Sequence, residues 1–364
     1  MRPRAAAILA AAALCAAAPA AAGITAPAGV RVDTVASGIP EPTAIAFDAK
    51  GGMWVTSGGN LAKPGNGVWY VPRPGARPRQ VVKRLFIALG LTWRHGVLYV
   101  SHVTPFDSSF TAVDRRRGRV TAFTGWNGRR FTGSRAVLSG LPVGRHTMDN
   151  IVVGPDDRLY VGIGSRFDDR PSPERLSAVV VSVDPDAARP VARVEARGLR
   201  NPYGLAFVPG TSDLLVTDNG RDDLGLTRPP DEVNVVRTTG PAPHFGFPAC
   251  WGQGGAPCRG RTAALVRTHA HASTDGIAVA ERFGSLGLSA FIANNGSTLF
   301  DDPPTTNVQR VALTPVAGGY TARLLPFASG FRKYDPLGLA MGPDGGLYLT
   351  LWLSGKVVRF SPTG

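Results

Sequence analysis

One pattern of apolar and polar positions recurs six times along the chain: an apolar run, a turn rich in Pro, Asp and Gly, and a second apolar run. In the third copy, apolar residues 151–153 precede the turn 154–158 and apolar residues 159–161. The other copies span residues 44–55, 90–100, 204–216, 276–292 and 338–349. Short apolar segments joined by a tight turn predict β-hairpins. Their recurrence roughly every 45–70 residues is typical of a propeller-like repeat array.

A further strand-like segment follows each copy. These third segments are residues 68–71, 120–123, 179–183, 233–236, 308–313 and 357–360. An outer fourth strand is expected in most repeats, and no stretch shows the 3.6-residue apolar period of a helix. The sequence therefore predicts an all-β fold, a six-bladed β-propeller of four-stranded antiparallel blades. Residues 30–35, ahead of the first copy, are expected to supply the outer strand of the last blade and so close the ring.

The N-terminal 22 residues have the composition of an export signal. Arg2 and Arg4 provide the positive start, residues 5–18 the apolar stretch, and residues 20–22 small side chains for cleavage. A lipoprotein anchor on Cys15 is the alternative, but the preceding Leu is a poor fit to it. We expect a signal peptide over residues 1–22, one propeller domain over residues 23–364, and a secreted or periplasmic protein. No later segment has the ~18 unbroken apolar residues of a transmembrane helix.

Signal removal leaves two cysteines, Cys250 and Cys258, in a loop rich in Gly and Pro. In an oxidising compartment this pair predicts one disulfide that holds the loop. A zinc site is the weaker alternative, since no second Cys pair is nearby and His244 and His269 flank the loop without a recognisable ligand spacing.

The formal net charge of the chain is +14, and Arg residues spread through every repeat carry most of it. The densest basic run, residues 115–117 with Arg119, precedes a predicted strand and is expected on a solvated blade edge. Because the basic residues are not clustered on one element, we expect no nucleic-acid partner.

The geometry of the repeats predicts where a binding site lies. The turn of each copy marks one end of its hairpin, so the residue before the first strand and the residue after the second share the opposite end. In a propeller the first strand lines the central channel, so these opposite ends converge on one mouth, where small molecules bind. The residues at these positions are Thr43, Ser57, His102, His146, Asp149, Ser165, Arg200, Asn201, Asn219, His271, Asp275, Asn294, Asn295, Arg332, Lys333 and Trp352.

Three sequence motifs, in this order along the chain, resemble those of a known family. Residues 144–150 read Gly-Arg-His-Thr-Met-Asp-Asn, residues 200–207 read Arg-Asn-Pro-Tyr-Gly-Leu-Ala-Phe, and Pro-Asp-Glu-Val-Asn at 230–234 leads to His-Phe-Gly-Phe-Pro at 244–248. This order resembles the soluble quinoprotein glucose/sorbosone dehydrogenases, including the aldose sugar dehydrogenases. The overlap covers most of the mature chain and is strongest over residues 139–248 and 327–360.

The resemblance implies hydride transfer from a sugar hydroxyl to pyrroloquinoline quinone (PQQ), with electrons passed on to an acceptor that the sequence does not identify. His146 matches the base that removes the hydroxyl proton. Arg200 and Asn201 match the cation and amide that stabilise charge on the quinone oxygen. The alternatives are an ordinary buried histidine and an ordinary turn with a solvated arginine.

Other cofactor contacts are expected at the same mouth. Asn219 is a further candidate, and Arg332 and Lys333 are candidates for the cofactor's carboxylates. For the two cations the alternative is plain surface charge.

The resemblance also implies a Ca²⁺ held against the quinone by backbone carbonyls and acidic side chains. The backbone of Gly220 and Arg221, with the side chains of Asp231 and Glu232, provides oxygen ligands of the kind that Ca²⁺ prefers. Gly220-Arg221 stands where the family has Gly-Pro, and residues 222–229 are an insertion of about eight residues before the Pro-Asp-Glu phrase. Loop carboxylates are usually solvated, which is the alternative.

The chain also departs from the family pattern. Leu89 stands near the place of a family Gln that contacts the quinone, and Asp335 replaces a family Arg in the sixth blade. Two other functions therefore stay open. One is a non-catalytic secreted propeller that binds a carbohydrate or a protein partner. The other is a metal-dependent lactonase using Asn201, Asn219 and Asp275, which would lack the usual Glu of the first blade.

Overall fold

A computed structural model describes residues 23–59, 61–107, 115–297 and 305–363. The predicted signal peptide, residues 1–22, lies outside the described residues. Within them, the chain forms six four-stranded antiparallel sheets arranged as the blades of a propeller. The predicted all-β, six-bladed fold is confirmed. No helix of the described residues is long and apolar enough to cross a membrane.

The first strand of the chain belongs to the last blade, and the others follow in blade order. That first strand is β1 (Val30–Ser37). Blade 1 comprises β2 (Pro42–Phe47), β3 (Met53–Ser57), β4 (Gly67–Val71) and β5 (Arg79–Lys83). Blade 2 comprises β6 (Phe86–Arg94), β7 (Val97–Thr104), β8 (Arg117–Thr124) and β9 (Gly133–Leu141). Blade 3 comprises β10 (Met148–Val153), β11 (Leu159–Ile163), β12 (Val179–Val183) and β13 (Arg193–Arg197).

The remaining blades repeat this meander. Blade 4 comprises β14 (Pro202–Phe207), β15 (Asp213–Asp218), β16 (Pro230–Arg237) and β17 (Val266–Ala270). Blade 5 comprises β18 (Thr274–Ala280), β19 (Ser289–Asn294), β20 (Asn307–Val316) and β21 (Gly319–Ala328). Blade 6 comprises β22 (Pro336–Met341), β23 (Leu347–Leu351) and β24 (Lys356–Pro362), to which β1 adds the outer strand.

The ring closes as the sequence predicts. Strand β1 pairs antiparallel with β24, with Val30 opposite Pro362 and Val32 opposite Phe360. The N- and C-terminal strands of the domain thus share one sheet. This pairing holds the first and last blades together by main-chain hydrogen bonds, in addition to the packing between blades.

Apolar side chains pack between neighbouring blades and form the core. One cluster joins Trp54 and Val68 of blade 1 to Leu91, Leu98 and Phe123 of blade 2. A fully buried side chain of this kind stabilises the fold by about 1.5–3 kcal/mol relative to an exposed one. The blade interfaces therefore hold the ring in shape, and the alternating apolar positions of each strand are the cause.

The first strand of each blade lines the central channel. At the turn end of the channel, a cavity of about 320 Å³ is lined by one apolar row per blade, including Ile45, Leu91, Ile151, Leu205, Ile277 and Leu339. Buried hydroxyls link successive blades: Ser101 Oγ donates to the Asp149 carbonyl (2.5 Å), and Thr217 Oγ1 donates to the Asp275 carbonyl (2.6 Å). These bonds fix the height of each first strand at the opposite end of the channel.

Two further predictions can be compared with the structure. Cys250 and Cys258 form a disulfide, as predicted. In the basic run 115–117, Arg115 and Arg117 are exposed, as expected, but Arg116 is buried, with its guanidinium carbon 4.7 Å from the centroid of the Phe86 ring. A guanidinium packs favourably on an aromatic face, which explains the difference at Arg116.

Candidate active site

A cavity of about 220 Å³ opens at the end of the channel where the polar hairpin ends converge. Six of the residues that the sequence places at this mouth line it: Thr43, His146, Asp149, Asn201, Asn295 and Trp352. The rest of its wall is Gly58, Gly59, Ile87, Leu89, Arg145, Thr147, Tyr203 and Leu337. Residues from blades 1, 2, 3, 4 and 6, with Asn295 just after β19 of blade 5, therefore meet around one small volume.

His146 stands just before strand β10 and is held by its backbone. Its amide donates to the carbonyl of Ser165 (3.1 Å), and its carbonyl accepts from the amide of Gly144 (3.0 Å). A Cβ at Gly164 would overlap the Cβ of His146, so the glycine is what lets the two segments approach. The His146 side chain is only 15% exposed. The imidazole is thus placed by the main chain and not by a flexible loop.

The electrostatics keep His146 neutral. Burial, with the positive charge of Arg200 as a second cause, lowers its pKa to about 4. Its Nε2 is buried and has no hydrogen-bond partner among the described residues; the nearest carboxylate oxygen, Asp168 Oδ1, is 3.8 Å away. A neutral imidazole with a free ring nitrogen at a cavity wall can accept a proton from a ligand.

Asp168 lies between His146 and Arg200. Its Oδ1 accepts from Nη2 of Arg200 at 2.5 Å and from Nε at 3.2 Å. The His146 ring and the Arg200 guanidinium hold the pKa of Asp168 well below its usual range. The carboxylate therefore stays ionised beside the histidine, where it would stabilise an imidazolium.

Arg200 is 3% exposed and shares a second carboxylate with Arg145. Asp222 Oδ2 lies 2.9 Å from Nη2 of Arg200 and 3.2 Å from Nη2 of Arg145. Nη1 of Arg200 donates to the carbonyl of Asn219 (3.2 Å). Arg200 does not line the main cavity. It lines a small adjoining cavity of about 30 Å³, together with Asn219.

Asn201 lines the cavity, and only one of the two polar atoms of its side-chain amide is hydrogen-bonded within the described residues. Its Nδ2 donates to Oδ1 of Asn219 (2.7 Å), and its backbone amide donates to Oδ1 of Asp218 (2.6 Å). The Nδ2 of Asn219 in turn donates to the carbonyl of Thr274 (2.9 Å). Oδ1 of Asn201 is buried without a partner among the described residues. The chain of amides fixes its orientation and leaves one acceptor for a ligand.

Asp149 and Tyr203 carry two further buried atoms at this cavity. Oδ2 of Asp149 and the hydroxyl of Tyr203 have no partner in the described part of the chain. Burial raises the pKa of Asp149 well above its usual value, and the carboxyls of Asp275 and Asp218 raise it further. Burial likewise raises the pKa of the Tyr203 hydroxyl. Burial therefore disfavours the ionised form of both groups.

The two predicted late-blade cations do not line this cavity. The Arg332 side chain is exposed, and Nζ of Lys333 lies over the Tyr334 ring, 5.1 Å from its centroid. Their role as partners of cofactor carboxylates stays a prediction.

The predicted calcium ligands do not form a set of free carboxylates. Asp231 Oδ1 accepts from the amide of Gly220 (2.8 Å) and Oδ2 from that of Thr274 (2.9 Å), so both oxygens are used by the fold. The guanidinium of Arg221 is paired with Asp223 (2.6 Å), and Glu232 approaches Asn234 (3.4 Å). In the described ranges, no three His, Cys, Asp or Glu side chains are grouped to hold a metal ion.

Three residues of this site were missed by the sequence analysis. Asp168 follows the end of β11 by five residues and therefore lies beyond the positions that adjoin the strand. Tyr203 stands inside the Arg-Asn-Pro-Tyr phrase, and Asp222 inside the insertion. A search of all polar residues within about one turn of each hairpin end would have found the first two.

Comparison with known proteins gives little sequence similarity. No family model matches the chain. An uncharacterized protein of Borreliella burgdorferi is 25% identical over 232 residues, which cover 62% of this chain and 57% of that protein. The match thus spans less than two thirds of that relative.

Solved structures are much more similar in shape. The iodide structure of an enzyme of carbohydrate-active family AA12 from Trichoderma reesei has a TM-score of 0.75 at 18% identity, covering 93% of this chain and 98% of that one. A putative oxidoreductase (glucose dehydrogenase) of Thermus thermophilus has 0.69 at 24%, covering 91% and 100%. The PQQ-bound aldose sugar dehydrogenase of Streptomyces coelicolor has 0.66 at 21%, covering 93% and 99%.

These neighbours are sugar dehydrogenases and related carbohydrate-active enzymes, the kind of protein that the sequence motifs resemble. At these identities the similarity establishes a common propeller fold. The chemistry of this chain has to be argued from its own residues.

Proposed function

We propose that the protein is a PQQ-dependent sugar dehydrogenase that transfers hydride from a sugar hydroxyl to the quinone, with His146 as the base. The observation that carries the proposal is the buried, neutral imidazole of His146, whose Nε2 has no partner among the described residues and lies beside the ionised Asp168. The motif order and the PQQ-bound neighbour support it.

The cavity suits the quinone part of such a cofactor. Nε2 of His146 and Oδ1 of Asn201 are buried, lack partners in the part of the chain that the structure describes, and belong to residues that line the cavity. Both atoms accept hydrogen bonds, and a buried polar atom without a partner costs roughly 1–3 kcal/mol, which an N–H group of the cofactor or a hydroxyl of the sugar relieves. Trp352 adds aromatic surface to the wall. We therefore assign His146, Asn201 and Trp352 to binding of the ring system.

PQQ, when bound, supplies the two-electron acceptor for the hydride. The protein's part is proton transfer and positioning. His146 Nε2 takes the proton of the sugar hydroxyl, and the pKa of about 4 in the free protein keeps that nitrogen unprotonated at neutral pH. Asp168 then stabilises the imidazolium, because its carboxylate faces the ring. Asn201 is oriented by Asn219 and presents one acceptor to the ligand.

The proposal includes the class of substrate and the cellular compartment of the protein. The neighbours named as glucose, aldose sugar and pyranose dehydrogenases favour an aldose as the substrate, with an electron acceptor yet to be identified. The disulfide between Cys250 and Cys258 and the export-type sequence of residues 1–22 favour a secreted or periplasmic protein.

In this proposal, main-chain oxygens provide most of the ligands for Ca²⁺. A calcium structure of the Trichoderma reesei enzyme is among the neighbours. Each oxygen of the Asp231 carboxylate already accepts one backbone hydrogen bond, so Asp231 is a poorer ligand candidate than a free carboxylate. A Ca²⁺ near this segment would therefore use the carbonyls of Gly220 and Arg221, with Glu232 as the acidic candidate. No step of the reaction is derived through it.

A second candidate function is carbohydrate binding without redox chemistry. It is favoured by the position of Arg332 and Lys333 away from the cavity, which leaves the carboxylates of PQQ without the expected partners. The cavity also offers Trp352 and the unpartnered oxygens of Asp149 and Tyr203, which suit a sugar ring and its hydroxyls. The lactonase hypothesis gains no comparable support, because Oδ1 of Asn219, one of its expected metal ligands, accepts a hydrogen bond from Nδ2 of Asn201.

One experiment tests the proposal against the alternative. The mature protein, loaded with PQQ and Ca²⁺, is assayed with a panel of aldoses and a dye acceptor, beside His146→Gln and the control His95→Gln, whose side chain is 69% exposed. We expect sugar-dependent dye reduction that falls roughly 10²- to 10⁴-fold in His146→Gln only. Sugar binding by calorimetry with no reduction under any condition would contradict the proposal and support the non-catalytic binder.

A further inference from the structure

The insertion at residues 222–229 brings the carboxylate of Asp222 against Arg200, a predicted cofactor-binding residue. Asp222 Oδ2 contacts Nη2 of Arg200 (2.9 Å) and Nη2 of Arg145 (3.2 Å). Its other oxygen lies 3.7 Å from Nδ1 of His271. The insertion, which the family pattern lacks, thus contacts residues at the edge of the candidate active site.

We propose that Asp222 is an internal competitor for anionic ligands, so that a carboxylate-bearing cofactor binds at Arg200 and Arg145 only by displacing it. This inference rests on the proposed function, because the anionic ligand it concerns is PQQ. Asp222 would then set the affinity and the charge selectivity of the site without taking part in the chemistry.

The charges of the cluster support this role. Two guanidinium groups, those of Arg200 and Arg145, face two carboxylates, those of Asp168 and Asp222. The cluster is therefore close to neutral as it stands and offers an incoming anion little net attraction. Removal of one carboxylate leaves an excess positive charge beside the cavity, where charge-assisted hydrogen bonds are strong.

Of the two carboxylates, Asp222 is the one that an anionic ligand can displace from Arg200 and Arg145. Its side chain is 33% exposed and lies in a loop, whereas Asp168 is 26% exposed and also faces His146. The loop has anchors of its own. Arg221 pairs with Asp223 and donates to the carbonyl of Pro248 (2.9 Å), and the Gly225 carbonyl lies 2.8 Å from Nε2 of His271. Displacement of the Asp222 side chain therefore does not require the loop to unfold.

The chain offers a matched control in the next residue. Asp223 belongs to the same insertion and pairs with Arg221, away from Arg200 and Arg145. Asp223→Asn changes the net charge by the same amount as Asp222→Asn, and the Arg221 bond to the Pro248 carbonyl still anchors the loop. A difference between the two variants therefore reports on the contacts that Asp222 makes with Arg200, Arg145 and His271.

The test is calorimetric titration of PQQ into the mature protein and the two variants at low ionic strength, with folding checked by circular dichroism. Removing a competing charge-assisted hydrogen bond predicts roughly 10- to 100-fold tighter PQQ binding in Asp222→Asn. Asp223→Asn should stay within about twofold of the wild type. If Asp222→Asn misfolds, Asp222→Ser takes its place. Equal or weaker PQQ binding in a folded Asp222 variant overturns the inference.

A second probe separates this inference from the proposed function. If neither the wild type nor any variant binds PQQ, the proposed function fails, and inorganic phosphate is used instead. The inference then predicts that phosphate raises the midpoint of thermal unfolding more in Asp222→Asn than in Asp223→Asn, because phosphate occupies the freed guanidinium groups. Identical phosphate effects in the two variants would overturn the inference as well.

Discussion

The imidazole of His146 and the carboxylate of Asp168 face each other, with 3.8 Å between Nε2 and Oδ1. The distance is too long for a direct hydrogen bond in the free protein. It is short enough for the carboxylate to attract a proton onto the ring. Burial and Arg200 act in the opposite direction, and the balance leaves the pKa of His146 at about 4.

Replacing Asp168 by Asn should therefore weaken the base. With the carboxylate gone, the positive charge of Arg200 is less compensated, so the pKa of His146 falls further and the imidazolium loses its partner. We expect kcat to fall by about 10- to 100-fold and the acid limb of the pH–rate profile to move to lower pH. Asp169→Asn, the adjacent exposed carboxylate, is the control. If the acid limb of the pH–rate profile lies at the same pH in Asp168→Asn as in the wild type, Asp168 does not affect the pKa of His146.

The wild-type pH profile gives a separate test. A base must be unprotonated, and the low pKa of His146 in the free protein means that protonation sets in only near pH 4. We expect kcat/KM to be constant from pH 7 down to about pH 5 and to fall below that, as the ring is protonated. A limb near pH 6.5, the ordinary value for histidine, would mean that the ring is solvated and not buried as described.

Gly164 provides a test of the packing that places the base. A Cβ at this position would overlap the Cβ of His146 and approach Oδ1 of Asn201 to 3.0 Å. We expect Gly164→Ala to lower kcat by displacing the imidazole and to destabilise the protein by about 1–3 kcal/mol through overpacking. Gly287→Ala, where a Cβ meets nothing within 4 Å, is the control. Chemical denaturation and the dye assay measure both effects.

Asp149 should make the protein less stable as the pH rises. Its folded pKa lies above the unfolded value, so the folded state retains a proton that the unfolded state loses, and stability falls as the pH increases through that range. Asp149→Asn removes this buried group. We expect the variant to be more stable than the wild type at pH 8, and this difference to shrink at pH 4, in urea unfolding curves. Asp169→Asn should show no such pH dependence.

The fold was predictable because it depends on local patterns. Each blade repeats an apolar run, a turn and a second run, and the period-2 alternation of a strand determines which side chains enter the blade interface. Even the closing strand β1 was predictable, since residues 30–35 lacked a partner in the first repeat. The pairing with β24 confirms it.

The site was predictable only where its residues adjoin strands. His146 lies two residues before β10 and Asn201 directly before β14, so the ring geometry places both at the mouth, and both line the cavity. Arg200 reaches the same region but pairs with Asp168 and Asp222. Arg332 and Lys333 do not line the cavity. Loop residues have no fixed period, so the repeat spacing does not single out Asp168 among the polar residues after β11, and it does not predict the contact that Asp222 makes.

The most direct test of the central claim is anaerobic stopped-flow mixing of the PQQ-loaded protein with an aldose. The absorbance of the bound cofactor reports its reduction, and the sugar is used with either hydrogen or deuterium on its reacting carbon. We predict sugar-dependent reduction that is slower with deuterium in the wild type, and roughly 10²- to 10⁴-fold slower in His146→Gln. Unchanged cofactor absorbance with every aldose, in a protein shown to bind both PQQ and sugar, would contradict the account.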